Sequence, residues 1–542
     1  MEEVNTEWLP HLADEIISET QGTLLDAYVV ALEGWRRGLT LRWHVKDSEK
    51  FKEMKTWYVD QPGQLFSLSS NEKTHYFFRT RGDKVINEAV ELGMDKAKTK
   101  QILKEKGISV PDGKHFTGNI DNEDILQYAN TLGYPLVIKP IDGSFGKGVV
   151  ANITSEGELM HSLDYVRQEL GYQDIIVEQY IPGDDLRLYV VEDKVVGAIK
   201  RIPPNIIGDG INSIEALIAL KNEERSLSPR LVSCQIKVDK EILSYIGRSG
   251  YDLNTVPEKG EQVFLSDKAN ISYGGDPIDV LDELSSGIKD TAVKALQSIP
   301  GLVHGAVDML LQKDAETGEE KGYVIELNPT SQLGGILYPI HGKARDVPRA
   351  IIDYYFPETK EKERLNDDIY FDFYDVLEPL QSRQAHVSTV TPSPQGKIYA
   401  KKYTVSGDVQ DIGYHRGLRK QAFERFLHGF VMNKENGDID VIVGGLDPEM
   451  VDDFKNAFWE DEERAHVVDV QETDYDEPLK VGFEVKADIK TLKEELDLLN
   501  REIERTNFEM KKAEVERRKL YNSLSWKTTK PIRIFGAIFK NK

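Results

Sequence analysis

Lys139 closes the apolar run PLVIKP, and the loop after it holds Gly143, Ser144, Gly146, Lys147 and Gly148. Glycines let backbone N–H groups approach a ligand and aim at phosphate oxygens, while lysines beside them neutralise its charge. The spacing fits neither a P-loop nor the G-x-G-x-x-G fingerprint, so by itself the loop reads equally well as a glycine-rich hairpin. Downstream, GAVDMLL places Asp308 in one apolar strand and YVIELNP places Glu326 and Asn328 in another. The last two are separated by one residue and so share a strand face. Three such oxygens beside phosphates suit Mg2+.

These residues need a scaffold. From 91 to 360, strand-like runs (PLVIKP, DIIVEQYI, LRLYVVEDKVVGAIK, VHGAVDMLL, GYVIELNP) alternate with helical segments (KAKTKQILKEKG, IKDTAVKALQSI). Several strands follow one another through short turns such as VEDKV, which predicts an α+β domain on mainly antiparallel sheets. Residues 1–90 mix helical patterning with short strands and read as an α/β lead-in domain. An acidic, then Ser/Thr/Pro-rich connector (361–396) precedes a second compact α/β unit at 397–486.

In 487–524, Ile489, Leu492, Leu496, Leu499, Ile503, Met510, Ala513 and Leu520 fall on a/d positions of a seven-residue repeat, with Thr506 and Arg517 interrupting the seam. The pattern predicts either a coiled coil that makes a homo-oligomer or a single surface helix folded back on the protein. The tail 525–542 sets Trp526, Ile532, Phe535, Ile538 and Phe539 among lysines and one arginine. That composition suits peripheral contact with an anionic membrane, or packing against the chain's own acidic surface.

With 542 residues the chain should form three or four domains. A formal net charge of −24 argues against a nucleic-acid partner. The single cysteine, Cys234, excludes a disulfide framework and a thiolate zinc site. No run approaches the length of a membrane-spanning helix, and the acidic start MEEVNTEWLPHLADE does not read as a secretory signal, so a cytoplasmic location is expected.

In this order the residues resemble the ATP-grasp superfamily of carboxylate–amine ligases, which implies ATP with Mg2+ or Mn2+. MDKAKTKQILKEKGISVP is similar to the family's entry segment, so Lys96 would reach ATP phosphate. LVIKP is similar to its second lysine strand, giving Lys139 the α/β-phosphates, and IDGSFGKGV to the loop that closes over them. VEQYIPGDDLRLYVV resembles the hinge strand: Glu178, Gln179 and Tyr180 would meet adenine and Asp185 the ribose hydroxyls. Asp308, Glu326 and Asn328 match the metal ligands.

Residues 170–345 resemble more narrowly the ATP-grasp halves of cyanophycin synthetase and of fused bacterial glutathione synthetase, which join amino acids or peptides through an amide. The resemblance implies that Lys200 and Arg201 stabilise the transferred phosphate and the acyl intermediate. The Mur-ligase-like half of cyanophycin synthetase has no counterpart in these residues, so the exact substrate is not inherited. Arg187, Arg230 and Arg345 could grip a substrate carboxylate, and each could equally be an ordinary ion-paired arginine.

The second unit, from YTVSGDVQDIGYHRGLRKQAF to VIVGG, resembles acylphosphatase, which implies a ferredoxin-like α/β sandwich. Asn433 matches the family's water-orienting asparagine. Its phosphate-binding arginine is replaced by His415 and a cradle glycine by Asp411, and Arg416 is about 100° round the helix from His415. Imidazole lacks the permanent charge and planar fork of guanidinium. The sequence therefore predicts an ATP- and Mg2+-dependent ligase working through an acyl phosphate on small or polymer-linked carboxylate and amine substrates, an envelope polymer among them, peripheral at the inner membrane face. The alternatives are an acyl phosphate hydrolase and a non-catalytic scaffold.

Overall fold

The computed structural model describes residues 6–486 apart from 21, 142–147, 315, 361–366 and 462, together with Leu499, Ile503, Arg505, Thr506, Met510 and Ala513. The chain divides into two compact units. Residues 1–398 with Glu477–Val481 make the first, and 399–476 with 482–542 make the second.

At the heart of the first unit is a five-stranded antiparallel sheet in the order Asp276–Asp279, Lys194–Ile202, Asp184–Val191, His304–Lys313, Glu320–Asn328. Its strands bury both faces, as their near-continuous apolar runs require. Leu186, Leu188, Val190, Ala198 and Val307 face the core packed under helix Ser286–Gln297. Tyr189, Val191, Ile199 and Ala306 face a second core, shared with helix Thr23–Arg36, Trp43, Phe66 and Tyr355. That core binds the N-terminal segment, whose sheet runs Val387–Thr389, Thr40–His44, Leu65–Ser69, Thr74–Phe78, Arg81–Gly82.

A four-stranded sheet, Gly113–Phe116, Ile175–Gln179, Leu136–Pro140, Val150–Ile153, carries helices Asn122–Leu132 and Glu156–Asp164 over its own core. Residues 205–265 add a small module in which strands Asn205–Ile207 and Gln262–Phe264 pair beside helices Ile214–Ser226 and Lys240–Arg248.

The second unit runs strand, helix, strand, strand, helix, strand. Its first four strands are Tyr399–Asp408, His428–Asn433, Ile439–Gly445 and His466–Asp474, in spatial order 4-1-3-2. This is the ferredoxin-like sandwich that the sequence predicts, extended by Phe483–Val485 parallel to the second strand. Of the heptad positions, Leu499, Ile503 and Met510 are helical and exposed. Ile489, Leu492, Leu496 and Leu520 lie outside the described residues, as does the whole basic tail. No helix among the described residues is long and apolar enough to cross a membrane.

His304 lies fully buried, with Nδ1 3.2 Å from the Tyr189 hydroxyl and Nε2 3.2 Å from that of Tyr355. Burial, helped by Arg81 and Lys84, lowers its pKa from 6.5 to about 3. The folded state therefore keeps this ring neutral where the unfolded chain protonates it. Stability from this group is complete above pH 6.5 and is lost as pH falls towards about 3, with a slope of about 1.4 kcal/mol per pH unit. In urea titrations across that window, His304→Gln should unfold with an acid slope shallower by one proton; an unchanged slope would contradict this account.

Candidate functional site

Register alone assembles the charged row. On the central sheet Arg201 stands opposite Asp185, Arg187 opposite Asp308, Asp308 opposite Glu326, and Ala306 opposite Asn328. Residues 185, 187 and 189 alternate onto one face, so the face that is apolar at Tyr189 and Val191 turns charged towards Asp185. A β-bulge lies immediately after the Asp308–Glu326 pair, between Asp308 and Met309 on one strand and across Ile325 on the other. Bulges of this kind re-aim side chains at the rims of sites.

Asp308 is buried and takes a two-pronged contact from Arg187, Nε to Oδ1 and Nη2 to Oδ2, both 2.8 Å. Arg201 reaches Asp308 at 3.2 Å and Asp185 at 2.8 Å through Nε. Burial acts to raise the Asp308 pKa, but Arg187 and then Arg201 outweigh it and hold the carboxyl well below the usual carboxylate range. The Arg201 guanidinium suffers the same desolvation, and Asp308 and Asp185 overcome it, so its pKa rises. Asp185 is pushed up by burial and by the like charge of Asp308, against the pull of Arg201.

Asp308, Glu326 and Asn328, the metal set expected from sequence, stand on this face in different states. Both Asp308 oxygens are committed to guanidinium groups. Glu326 has no hydrogen bond or ion pair among the described residues, and the Nδ2 of Asn328 is buried without a partner. An oxygen-loving cation would find the Glu326 carboxylate without a protein partner among the described residues, with Asp308 already neutralised by its arginines. No group of three His, Cys, Asp or Glu residues among those described could hold a metal. The predicted pair Lys200 and Arg201 is also split by alternation: Lys200 lies on the opposite face and pairs with Asp184 at 2.7 Å.

A second cluster sits on the four-stranded sheet. Lys139 and Glu178 are diagonal neighbours on adjacent antiparallel strands, and the lysine ammonium contacts Glu178 Oε1. Lys100, from helix Lys96–Glu105, takes the other oxygen at 2.5 Å. Glu178 is 4% exposed; burial favours its neutral form, yet Lys139 and Lys100 outweigh that and hold its pKa below the ordinary value. Sequence reading assigned Lys96, which begins this helix, and missed Lys100. The signal was present, since residues four apart share a helix face.

After Glu178, the Gln179 N–H donates to Asp112 O at 2.7 Å and the Tyr180 N–H to Pro135 O at 3.0 Å. The Ile181 N–H has no acceptor among the described residues, which leaves it available to a ligand. Residues 180–183 then link this cluster to Asp185. Gly148 has φ +77, and a Cβ there would sit 2.8 Å from Pro140 Cγ, so the loop must close on a glycine. Gly143, Ser144, Gly146 and Lys147 lie outside the described residues. Of the three candidate carboxylate grips, Arg187 is taken by Asp308 and Arg345 by Asp279 and Asp282, whereas Arg230 has no ion pair among the described residues.

In the second unit, Asp411 caps helix Ile412–Glu424, its Oδ1 accepting from the N–H groups of Gly413 (2.7 Å) and Tyr414 (3.1 Å). His415 is buried with Nε2 unpartnered, and burial lowers its pKa against a backbone bond to Val409 and the charge of Asp411. Asn433 Oδ1 is likewise buried without a partner, and Arg416 is exposed.

Residues 93–209 match the family model of the RimK-like ATP-grasp domain. The first unit carries an ATP-grasp domain. Residues 401–485 match the acylphosphatase model. Cyanophycin synthetase of Crocosphaera subtropica is 33% identical over 272 residues, covering 50% of this chain and 31% of that one. The glutathione biosynthesis bifunctional protein GshAB of Desulfotalea psychrophila is 28% identical over 299 residues, covering 54% and 38%. The crystal structure of a bifunctional glutathione synthetase from Pasteurella multocida aligns with a TM-score of 0.43 at 24% identity, over 54% of this chain and 41% of that one. The chain thus spans about a third of the length of the curated relatives it matches.

Glu178 is the counter-charge for two largely buried ammonium groups. Glu178→Gln should cost about 3 kcal/mol or more, because it strands both lysines in a desolvated site, whereas Lys100→Met should cost clearly less. Thermal melting of the two variants checks this; equal losses would show that Glu178 does not carry the pair.

Proposed function

We propose that the chain is an ATP-dependent carboxylate–amine ligase that works through an acyl phosphate. The observation that supports this most is the single sheet face on which Asp185, Arg187, Arg201, Asp308, Glu326 and Asn328 stand in register. It is joined through residues 180–183 to the two lysines on Glu178. In the reaction, a substrate carboxylate oxygen attacks the γ-phosphorus of ATP while the bond to the β,γ-bridging oxygen breaks, releasing ADP. The amine nitrogen then attacks the acyl carbon, the carbon–oxygen bond to phosphate breaks, and the nitrogen's proton leaves with phosphate.

No enzyme nucleophile is needed; the protein's work is positioning and charge neutralisation. Lys139 and Lys100, held by one carboxylate, would face the phosphates. Arg187 and Arg201 are already oriented by Asp308 and Asp185, so they would meet the transferring phosphoryl group without reorganising. Mg2+ or Mn2+, held by Glu326 and Asn328, would neutralise phosphate charge when bound. We place the substrates among amino acids, peptides or polymers that bear them, with contact to the inner membrane face through the basic tail.

Acyl phosphate hydrolysis by the second unit is the weaker reading. Asp411 places a carboxylate on the helix-start N–H groups, and His415 stands where the resembled family has its arginine. Two outcomes are expected. Lys139→Ala should abolish Mg·ATP binding and substrate-dependent ADP release in a screen over amino acids, dipeptides and uronic-acid sugars; undiminished ADP release would refute the ligase assignment. The double variant Asp411→Gly, His415→Arg should split benzoyl phosphate at least about tenfold faster than the natural chain, a gain of roughly 1.4 kcal/mol in barrier; a natural chain that is already the faster of the two would reverse this view of the second unit.

A further inference from the structure

Several guanidinium groups of the first unit that are largely withdrawn from water are matched to carboxylates: Arg37 to Glu33 and Asp353, Arg187 and Arg201 to Asp308, Arg225 to Asp276. Arg81 and Arg167 instead direct most of their N–H groups at backbone carbonyls. Arg230 does neither. It is 7% exposed, and its partners are the Cys234 sulfur at 2.9 Å, the Gln332 amide oxygen at 3.1 Å and the Ser233 hydroxyl at 3.4 Å. None of the three is a carboxylate, and its Nε–H has no acceptor among the described residues. A desolvated cation left in this state is costly unless an anion completes it.

The setting is built to hold that group. A Cβ on Gly334 would lie 2.3 Å from Arg230 Cδ, so only glycine leaves the side chain its place. Gln332 belongs to the segment that continues from Glu326 and Asn328, and along it Asn328 Nδ2 and Thr330 Oγ1 are both buried without partners. Asp26 fixes this segment by accepting the Leu333 N–H at 2.8 Å, and it feels the charges of Arg230, Arg79 and Arg187 without an ion pair to any of them. The enclosure therefore holds a guanidinium without a carboxylate partner among the described residues and unused hydrogen-bond donors, next to residues assigned above to phosphoryl transfer.

We propose that Arg230 is the receptor for an anchoring carboxylate of the substrate, one that is not itself phosphorylated. A carboxylate held in a guanidinium fork has its oxygens occupied, which makes it a handle rather than a nucleophile. The substrate class is then an amino acid or peptide that carries a free carboxylate besides the reacting group. The proposal rests on the ligase reading for its meaning, while the anion site itself stands on the geometry.

The test is thermal melting of the full chain without nucleotide, in the presence of L-aspartate, L-glutamate, L-alanyl-L-alanine or succinate, each compared with its carboxamide form, and of inorganic phosphate. At least one carboxylate should raise the melting temperature saturably, and its amide should not. Arg230→Gln should weaken that binding by about tenfold or more, Arg230→Lys should retain part of it, and Mg·ATP binding should be unchanged in both. If Arg230→Gln fails to fold, Gly334→Ala, which displaces the guanidinium and keeps its charge, should give the same weakening. No shift with any carboxylate, a shift that survives both Arg230→Gln and Gly334→Ala, or a shift with phosphate alone would overturn the proposal. Loss of Mg·ATP binding with an intact carboxylate shift, as expected of Lys139→Ala, separates failure of the nucleotide site from failure of this one.

Discussion

Charge buried at Asp308 is the constraint on which the site depends. A carboxylate cannot remain ionised inside a sheet without cations at hydrogen-bond range, and Arg187 and Arg201 supply them from adjacent strands. Each arginine in turn needs the register to place it there. A slip of one residue between the Asp184–Val191 and His304–Lys313 strands would carry Asp308 to the apolar face beneath helix Ser286–Gln297, leaving Arg187 without its carboxylate and Arg201 with Asp185 alone. The charged row and the strand pairing therefore specify one another.

The lysine cluster obeys the same rule on a different sheet. Glu178 serves two cations at once, so helix Lys96–Glu105 is tied electrostatically to the strand that bears Lys139. Between the clusters the chain makes a short connection, residues 180–183, containing Pro182 and Gly183. A Cβ on Gly183 would lie 2.4 Å from the Leu311 carbonyl oxygen, so this connection runs close against the central sheet.

Much of this was legible in the sequence, where residue type and period carried the message. Lys139 at a strand end, the shared face of Glu326 and Asn328, and the succession of antiparallel strands follow from alternation and turn spacing. The opposite faces of Lys200 and Arg201 follow from the same alternation, and grouping them as a basic pair overlooked it. Other features live only in the tertiary arrangement. Lys100 meets Glu178 across a helix–sheet contact. The distinction between Arg345, satisfied by two aspartates, and Arg230, satisfied by none, depends on which acids the fold brings near. The commitment of Asp308 to arginines could not be seen while it was read as a metal ligand alone.

The chain's route between its units has its own consequence. After completing the four strands of the ferredoxin-like sandwich, it returns to the first unit at Glu477–Val481, where Leu479 and Lys480 pair in parallel with Ile369 and Tyr370 and the Lys480 ammonium lies 2.7 Å from Asp372. Only then does it rejoin the second unit at Phe483–Val485. Residues 477–481 are thus a short piece of the first unit set between two stretches of the second. Cutting the chain at a single boundary near residue 398 would therefore take Leu479 and Lys480 away from their partners Ile369 and Tyr370.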